Sequence, residues 1–467
     1  MRFASRLLIT LLGFDKSTLR VCSDQNLAHQ TSALALYANR LKGNIGSMSI
    51  ANAPLPLPVR LMNAGFSITG PLGARLLSLQ PEALIAHAAK QAGLNDFGSD
   101  YFRGPLARLC RSLEEDAQLT ALGRLMARQD ILRLLVNRLQ FIDIFKRHPE
   151  IAEQEIKAPI FILGMPRTGT TSLHELMALD PQFRAPLSWE VAYPFPPPET
   201  ASYRSDPRIR QCEEELARVD QLLPDFRNMH PMGAELPQEC VALFAYDFVS
   251  MIFDVQFRVD QYQQWLVAED MTEVFKNHRR WLQLLQWKCP GDTWVLKSPQ
   301  YLWNIDDMLR EYPDARVVQT HRDPLKVAMS IGSLVSTLRG LGSNDRDLAR
   351  TTRAYADLLH FGTERTMSAR QRGLLASDRV IDVQFAEFRK GEVAAVRRIY
   401  EYFGLELSHD KAAMMQGFLD NGRESERHGK HTYSLAESGL DLSAERERFA
   451  AYQSSYQIPS EVLANDN

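Results

Sequence analysis

One stretch constrains the fold of this chain more than any other: Phe161-Ile162-Leu163-Gly164-Met165-Pro166-Arg167-Thr168-Gly169-Thr170-Thr171-Ser172-Leu173. An apolar run of strand length breaks into a Gly/Pro loop, and the chain then resumes with helix-compatible residues. Gly164 and Gly169 have the spacing of a phosphate-binding loop, in which backbone N–H groups at a helix N-terminus face phosphate oxygens. In the G-x-x-x-x-G-K-[ST] pattern a lysine follows the second glycine and reaches the β/γ-phosphates. Here that position is Thr170, and the nearest cation is Arg167 inside the loop. The expected ligand is a nucleotide other than ATP–Mg.

The strand–loop–helix pattern returns along the chain. Trp294–Ser298 precedes a helix expected near Tyr301–Tyr312, and Arg316–Thr320 precedes one near Pro324–Arg339. Val380–Phe385 precedes a helix near Glu392–Phe403 that Gly404 closes. Apolar strands alternating with helices predict βαβ units, a parallel sheet covered on both faces, and ligand chemistry at the strand carboxyl ends. Before this region, Leu84, Ile85, Ala88 and Ala89, then Leu122 to Ile142, recur at helical spacing. The fold class expected is α/β, a P-loop-like parallel sheet flanked by helices, with a helical N-terminal extension. The boundaries expected are a poorly defined segment over 1–47, helices over 48–156, the α/β domain over 157–440 with a helical insertion at about 199–290, and a tail over 441–467. Within the insertion, Asp260–Trp287 carries an aromatic face, which is more often core than a binding platform.

Composition narrows the function. The chain has 467 residues, 45% hydrophobic and 24% charged, enough for one large or two moderate domains. A formal net charge of −3 disfavours a general nucleic-acid surface. Cys22, Cys110, Cys212, Cys240 and Cys289 are scattered and form no C-x-x-C pair, so neither a disulfide framework nor a zinc site is expected. No H-E-x-x-H metal spacing and no G-x-S-x-G elbow occurs. The apolar run after Arg2 and Arg6 is short and lacks a small-residue cleavage site, no stretch has spanning length, and Met48 is an alternative start. A cytoplasmic protein without a transmembrane segment is expected.

A second informative segment is Ala315-Arg316-Val317-Val318-Gln319-Thr320-His321-Arg322-Asp323-Pro324. The strand ends, Asp323 suits an N-cap and Pro324 the first helical position, while Ser330 follows about two helical turns on. Arg322 and Ser330 form a guanidinium–hydroxyl pair of the kind that clamps an isolated phosphate. Taken with the Pro166–Thr171 loop and Trp294-Val295-Leu296-Lys297-Ser298-Pro299, the chain resembles the PAPS-dependent sulfotransferases, bacterial members foremost and, by motif, the tyrosylprotein sulfotransferases. The resemblance covers roughly residues 158–435.

The resemblance implies that Pro166, Arg167, Thr168, Gly169, Thr170, Thr171 and Ser172 bind the 5′-phosphosulfate, and that Arg322 and Ser330 hold the 3′-phosphate of PAPS. It also implies that Lys297 serves the leaving oxygen. A sulfuryl group carries one negative charge fewer than a phosphoryl group, so fixed cations such as Arg167 and Lys297 can stand where a metal clamp otherwise would, and no metal is expected. A base is needed for the acceptor hydroxyl or amine. The resemblance implies Glu190 as the first choice, since it follows the cradle helix at nearly the separation at which the tyrosylprotein sulfotransferases place their catalytic glutamate; His230, by likeness to the histidine of the cytosolic sulfotransferases, and Glu235 and Glu239 are rivals. Phe385, at a strand end where the family often has a tyrosine, and Lys430, Tyr433 and Ser434 in a glycine-containing basic stretch are candidates for nucleoside and phosphate contacts. The acceptor, a small molecule, lipid or carbohydrate, is not selected by any pattern. Two rivals stand beside this reading: an ATP-dependent kinase with an altered loop, and a non-catalytic nucleotide-binding protein.

Overall fold

The computed structural model describes residues 59, 60, 62–64, 66, 77–222, 232–345, 347–425 and 435–463. Five strands, β1 (Ile160–Gly164), β2 (Phe183–Arg184), β3 (Thr293–Lys297), β4 (Arg316–His321) and β5 (Val380–Gln384), form one sheet in the order β2-β3-β1-β4-β5. Every pairing is parallel. β1 lies at the centre, so the two strands that flank the Gly/Pro loop are β3, which ends in Lys297, and β4, which ends in His321 just before Arg322.

The period-2 alternation of the strands divides the core in two. Phe161 and Leu163 of β1, Leu296 of β3 and Val317 of β4 belong to one buried cluster; Ile160, Ile162, Val295 and Val318 belong to the other. The strands therefore read as continuous apolar runs because both faces are covered. The second face is closed by the cradle helix Thr170–Ala178 and the helix Glu392–Tyr402. On the first face the N-terminal helices Pro81–Ala92, Arg103–Glu115 and Ala121–Arg147 share a cluster with the helix Thr272–Gln286. Trp281 of the latter stacks on Phe141 and Tyr246 at ring distances of 4.1 and 4.2 Å. The aromatic face expected around Asp260–Trp287 is core.

Two expectations need adjustment. The helix expected near Tyr301–Tyr312 is a 3-10 turn, Pro299–Leu302, followed by a separate α-helix, Ile305–Glu311. Pro299 and the Ser298 hydroxyl, which accepts from Gln300 N, start the first piece. β2, two residues long, lacks any pattern long enough to be read from sequence. Among the described residues no helix is long and apolar enough to cross a membrane.

Candidate active site

The loop between β1 and the cradle helix forms by excluding side chains from two points. A Cβ on Gly164 would sit 2.1 Å from Thr320 Oγ1 of β4, closer than any real contact. Gly169 has φ +87°, and a Cβ there would press on Phe388 at 3.0 Å and Phe385 at 3.3 Å. Between them Arg167 holds φ +66°, a left-handed conformation uncommon for a side-chain-bearing residue and concentrated at ligand-binding turns. The buried Thr168 hydroxyl locks the turn, donating to Met165 O at 2.6 Å and lying 2.6 Å from Thr320 Oγ1. The backbone of Gly169–Ser172 thus opens a helix of nine residues whose first-turn N–H groups point out of the loop.

The sheet order places one cation on each side of this loop. From β3, Lys297, nearly fully buried, donates to Thr171 Oγ1 at 3.1 Å and forms a close ion pair with Glu239. The segment carrying Glu239 is tied down because Cys240 N donates to Lys297 O at 2.8 Å. From β4, Arg322 donates through Nη1 to Arg167 O at 2.8 Å, and its guanidinium lies 4.1 Å from the Phe385 ring centroid. Arg167 Nε donates to Ser330 Oγ at 3.3 Å, so the loop, the β4 end and the following helix Pro324–Gly342 meet at one place. Asp323 caps that helix through Leu325 N at 3.0 Å, as its position before Pro324 predicts.

Supporting groups fix these ends. His174, buried on the cradle helix, has Nε2 3.1 Å from Val295 O of β3. Burial, with the Lys297 charge adding to it, pushes its imidazole down to about 3, so it is neutral and holds the helix to the sheet. His321 lies between the Tyr452 hydroxyl and Asp382, each at 2.9 Å. Burial would raise the Asp382 carboxyl, but hydrogen bonds from His321 and Arg370 hold it down at about 2. The strand end that presents Arg322 is therefore rigidly framed.

Three of the four candidates for the base are among the described residues, and they fall in different places. Glu190 is fully buried: Oε1 accepts from Arg184 Nη2 at 2.6 Å and Oε2 from Leu187 N at 2.9 Å. Both oxygens are committed, one to an ion pair and one to the first turn of the short helix Ser188–Ala192. Glu235 is exposed. Glu239 is the carboxylate that touches Lys297, and its side chain keeps 22% exposure. His230, Lys430, Tyr433 and Ser434 lie outside the described residues. Phe385 is half-buried against Arg322 and Gly169 and offers a ring, not a hydroxyl. One residue at this place has no signal in the sequence reading: Glu461, near the chain end, accepts from Arg322 Nε at 2.7 Å and from Nη2 at 3.0 Å.

A parallel sheet with a glycine cradle at its central strand, flanked by a lysine and an arginine from the neighbouring strand ends, defines a nucleotide-dependent transferase of the P-loop-like class. The family is more particular. The model of the family described as "Sulfotransferase family" matches residues 159–409, more than half of the chain, and this chain belongs to that family. It is similar to sulfotransferase STF1 from Mycobacterium tuberculosis, with 34% identity and a TM-score of 0.69, over 79% of this chain and 98% of that one. It is also similar to sulfotransferase STF9 from Mycobacterium avium, with 29% identity and a TM-score of 0.75, over 81% of this chain and 97% of that one. Among curated proteins it is 26% identical to omega-hydroxy-beta-dihydromenaquinone-9 sulfotransferase Stf3 of Mycobacterium bovis and of Mycobacterium tuberculosis. That match takes in 53% of this chain and spans 63% of the length of those relatives.

Proposed function

We propose that this chain transfers the sulfuryl group of PAPS to a hydroxyl of an acceptor, leaving adenosine 3′,5′-bisphosphate. The observation that carries the reading is the placement of two cations on opposite flanks of one cradle: Lys297 with Thr171 on the β3 side, Arg322 with Arg167 and Ser330 on the β4 side. A nucleotide with separate anionic groups at its 5′ and 3′ ends would offer one anion to each flank. Gly164 lets the loop close against Thr320, and Gly169 takes the left-handed turn that opens the cradle helix, so that its first-turn N–H groups are available to a phosphosulfate.

In this reading the backbone N–H groups of Gly169–Ser172 and the Arg167 and Lys297 side chains answer the charge that accumulates on the leaving phosphate oxygen as the sulfur–oxygen bond breaks. Arg322 and Ser330 hold the 3′-phosphate, and Phe385 packs where the nucleoside enters. Glu239, rather than Glu190, takes the acceptor proton. It lies beside Lys297 and retains access to solvent, whereas the oxygens of Glu190 are engaged in the interior.

A carboxylate base suits a hydroxyl acceptor. The curated relatives are named for a hydroxylated dihydromenaquinone, so hydroxylated lipids are the class to test first. Incubation with sulfur-labelled PAPS and a panel of hydroxylated isoprenoids, glycolipids and phenols supplies the test. Label transfer to a hydroxyl with matching release of adenosine 3′,5′-bisphosphate is expected; transfer of the γ-phosphate of ATP–Mg to the same panel, with none from PAPS, would overturn the reading.

A further inference from the structure

Arg322 is the residue assigned above to the 3′-phosphate, and a carboxylate of the same chain already engages it. Glu461 binds the Nε/Nη2 edge of the guanidinium with two nearly parallel hydrogen bonds, 2.7 and 3.0 Å, the arrangement with which an arginine grips a carboxylate or phosphate. The third nitrogen, Nη1, donates one of its two protons to Arg167 O, and one face of the group lies against Phe385. A phosphate that takes this two-donor edge therefore has to displace Glu461.

The segment that carries Glu461 is held in place at its backbone, not only by that pair. Glu461 N donates to Asp323 Oδ2 at 2.7 Å, and Asp323 is itself buried and bound by Arg446 at 2.8 Å. Ile458 and Leu463 are buried on either side of it. Upstream, Gln384 at the end of β5 donates to Tyr456 O at 2.7 Å, and Tyr456 stacks on His321 at 4.2 Å. The backbone is anchored while the carboxylate, a third exposed, is free to rotate away from the guanidinium.

We propose that Glu461 is an in-chain competitor for the 3′-phosphate at Arg322, so that this carboxylate sets how tightly the 3′-phosphorylated nucleotide binds and how fast the spent one leaves. The inference rests on the PAPS reading. Its physical content is a difference in affinity. A partly exposed carboxylate–arginine pair is weak, and a dianionic phosphate with more acceptor oxygens displaces it, at the expense of part of its own binding free energy. A nucleotide without a 3′-phosphate does not enter the contest and gains nothing from removing the carboxylate. The same competition that weakens donor binding speeds departure of the bisphosphate.

The test measures binding of adenosine 3′,5′-bisphosphate and of adenosine 5′-monophosphate to the full chain, to Glu461→Gln and to Glu461→Ala. The bisphosphate is expected to bind about three- to fivefold tighter to both variants, the factor that corresponds to losing one partly exposed ion pair, with slower dissociation in stopped flow. The monophosphate should be unchanged. A wild-type chain that binds the bisphosphate well, beside variants that bind it no tighter, overturns the competitor role and leaves the PAPS reading standing. No bisphosphate binding by any of the three proteins overturns both. Thermal unfolding of each variant separates a loss of fold from a change at the clamp.

Discussion

Single residues divide into those whose role is written in local chemistry and those whose role depends on a distant partner. Gly164, Gly169 and Arg167 were legible because a glycine-framed loop between a strand and a helix has few other uses. Lys297 and Arg322 were legible only in combination, through a family resemblance. Glu190 is expected as a base from the family resemblance, and what the sequence does not reveal is that Arg184, six residues earlier, folds over it and takes one oxygen into the interior. Glu461 left no trace because its partner lies 139 residues away. Two predictions separate the carboxylates. Glu239→Gln should lower kcat about 100-fold while the Kd for adenosine 3′,5′-bisphosphate stays within about twofold; a kcat near the wild-type value would remove Glu239 from the role of base. Glu190→Gln should act on stability, since halving a buried ion pair costs about 3–5 kcal/mol, seen as a lower Tm. An unaltered Tm with lost turnover would return the catalytic role to Glu190.

Elements were legible where their pattern is long. The strands β1, β3, β4 and β5 are apolar because both faces of the sheet are covered, and each was readable from that run. The order β2-β3-β1-β4-β5 was not, because parallel neighbours are joined by crossovers whose destinations leave no local mark. Yet this order creates the site by bringing the ends of β3 and β4 to either side of the cradle. Gly164→Ala tests the contact between β1 and β4: the added methyl meets Thr320 Oγ1, and overpacking of this kind costs about 1–3 kcal/mol. A lowered Tm together with weakened nucleotide binding is expected, and a variant with wild-type Tm would contradict the packing described. The link between the cradle helix and β3 has a pH signature. Because the folded protein holds the His174 imidazole down at about 3, while an unfolded chain titrates near 6.5, the unfolded state binds more protons below that value. Its contribution to stability is fully present above about 6.5 and falls with pH toward 3, by about 1.4 kcal/mol per pH unit. His174→Gln, which keeps a donor for Val295 O, should flatten that part of the curve in denaturant titrations at pH 7 and pH 5; an identical slope in the variant would show that another group carries it.

The whole molecule joins a helical N-terminal region to a sulfotransferase-family sheet through one shared core, in which Leu135, Phe141 and Trp281 pack with Phe161 and Leu296. The periodicity of the helices could be read, but not the surface they cover, since amphipathic stripes specify that a face is buried and not its partner. The proposed function likewise depends on an assembly that no single segment specifies: a cradle on one strand and a cation from each neighbour. We propose that this assembly serves a nucleotide phosphorylated at both the 5′ and 3′ positions. Titration calorimetry of the full chain with adenosine 3′,5′-bisphosphate, adenosine 5′-monophosphate, ATP and ATP–Mg, with Arg322→Ala as the control, is the decisive experiment. The bisphosphate is expected to bind most tightly and without added metal, and Arg322→Ala to weaken it about 10- to 100-fold while leaving the monophosphate nearly unchanged. Preferential binding of ATP–Mg, or equal losses for the two adenosine nucleotides in the variant, would contradict this proposal.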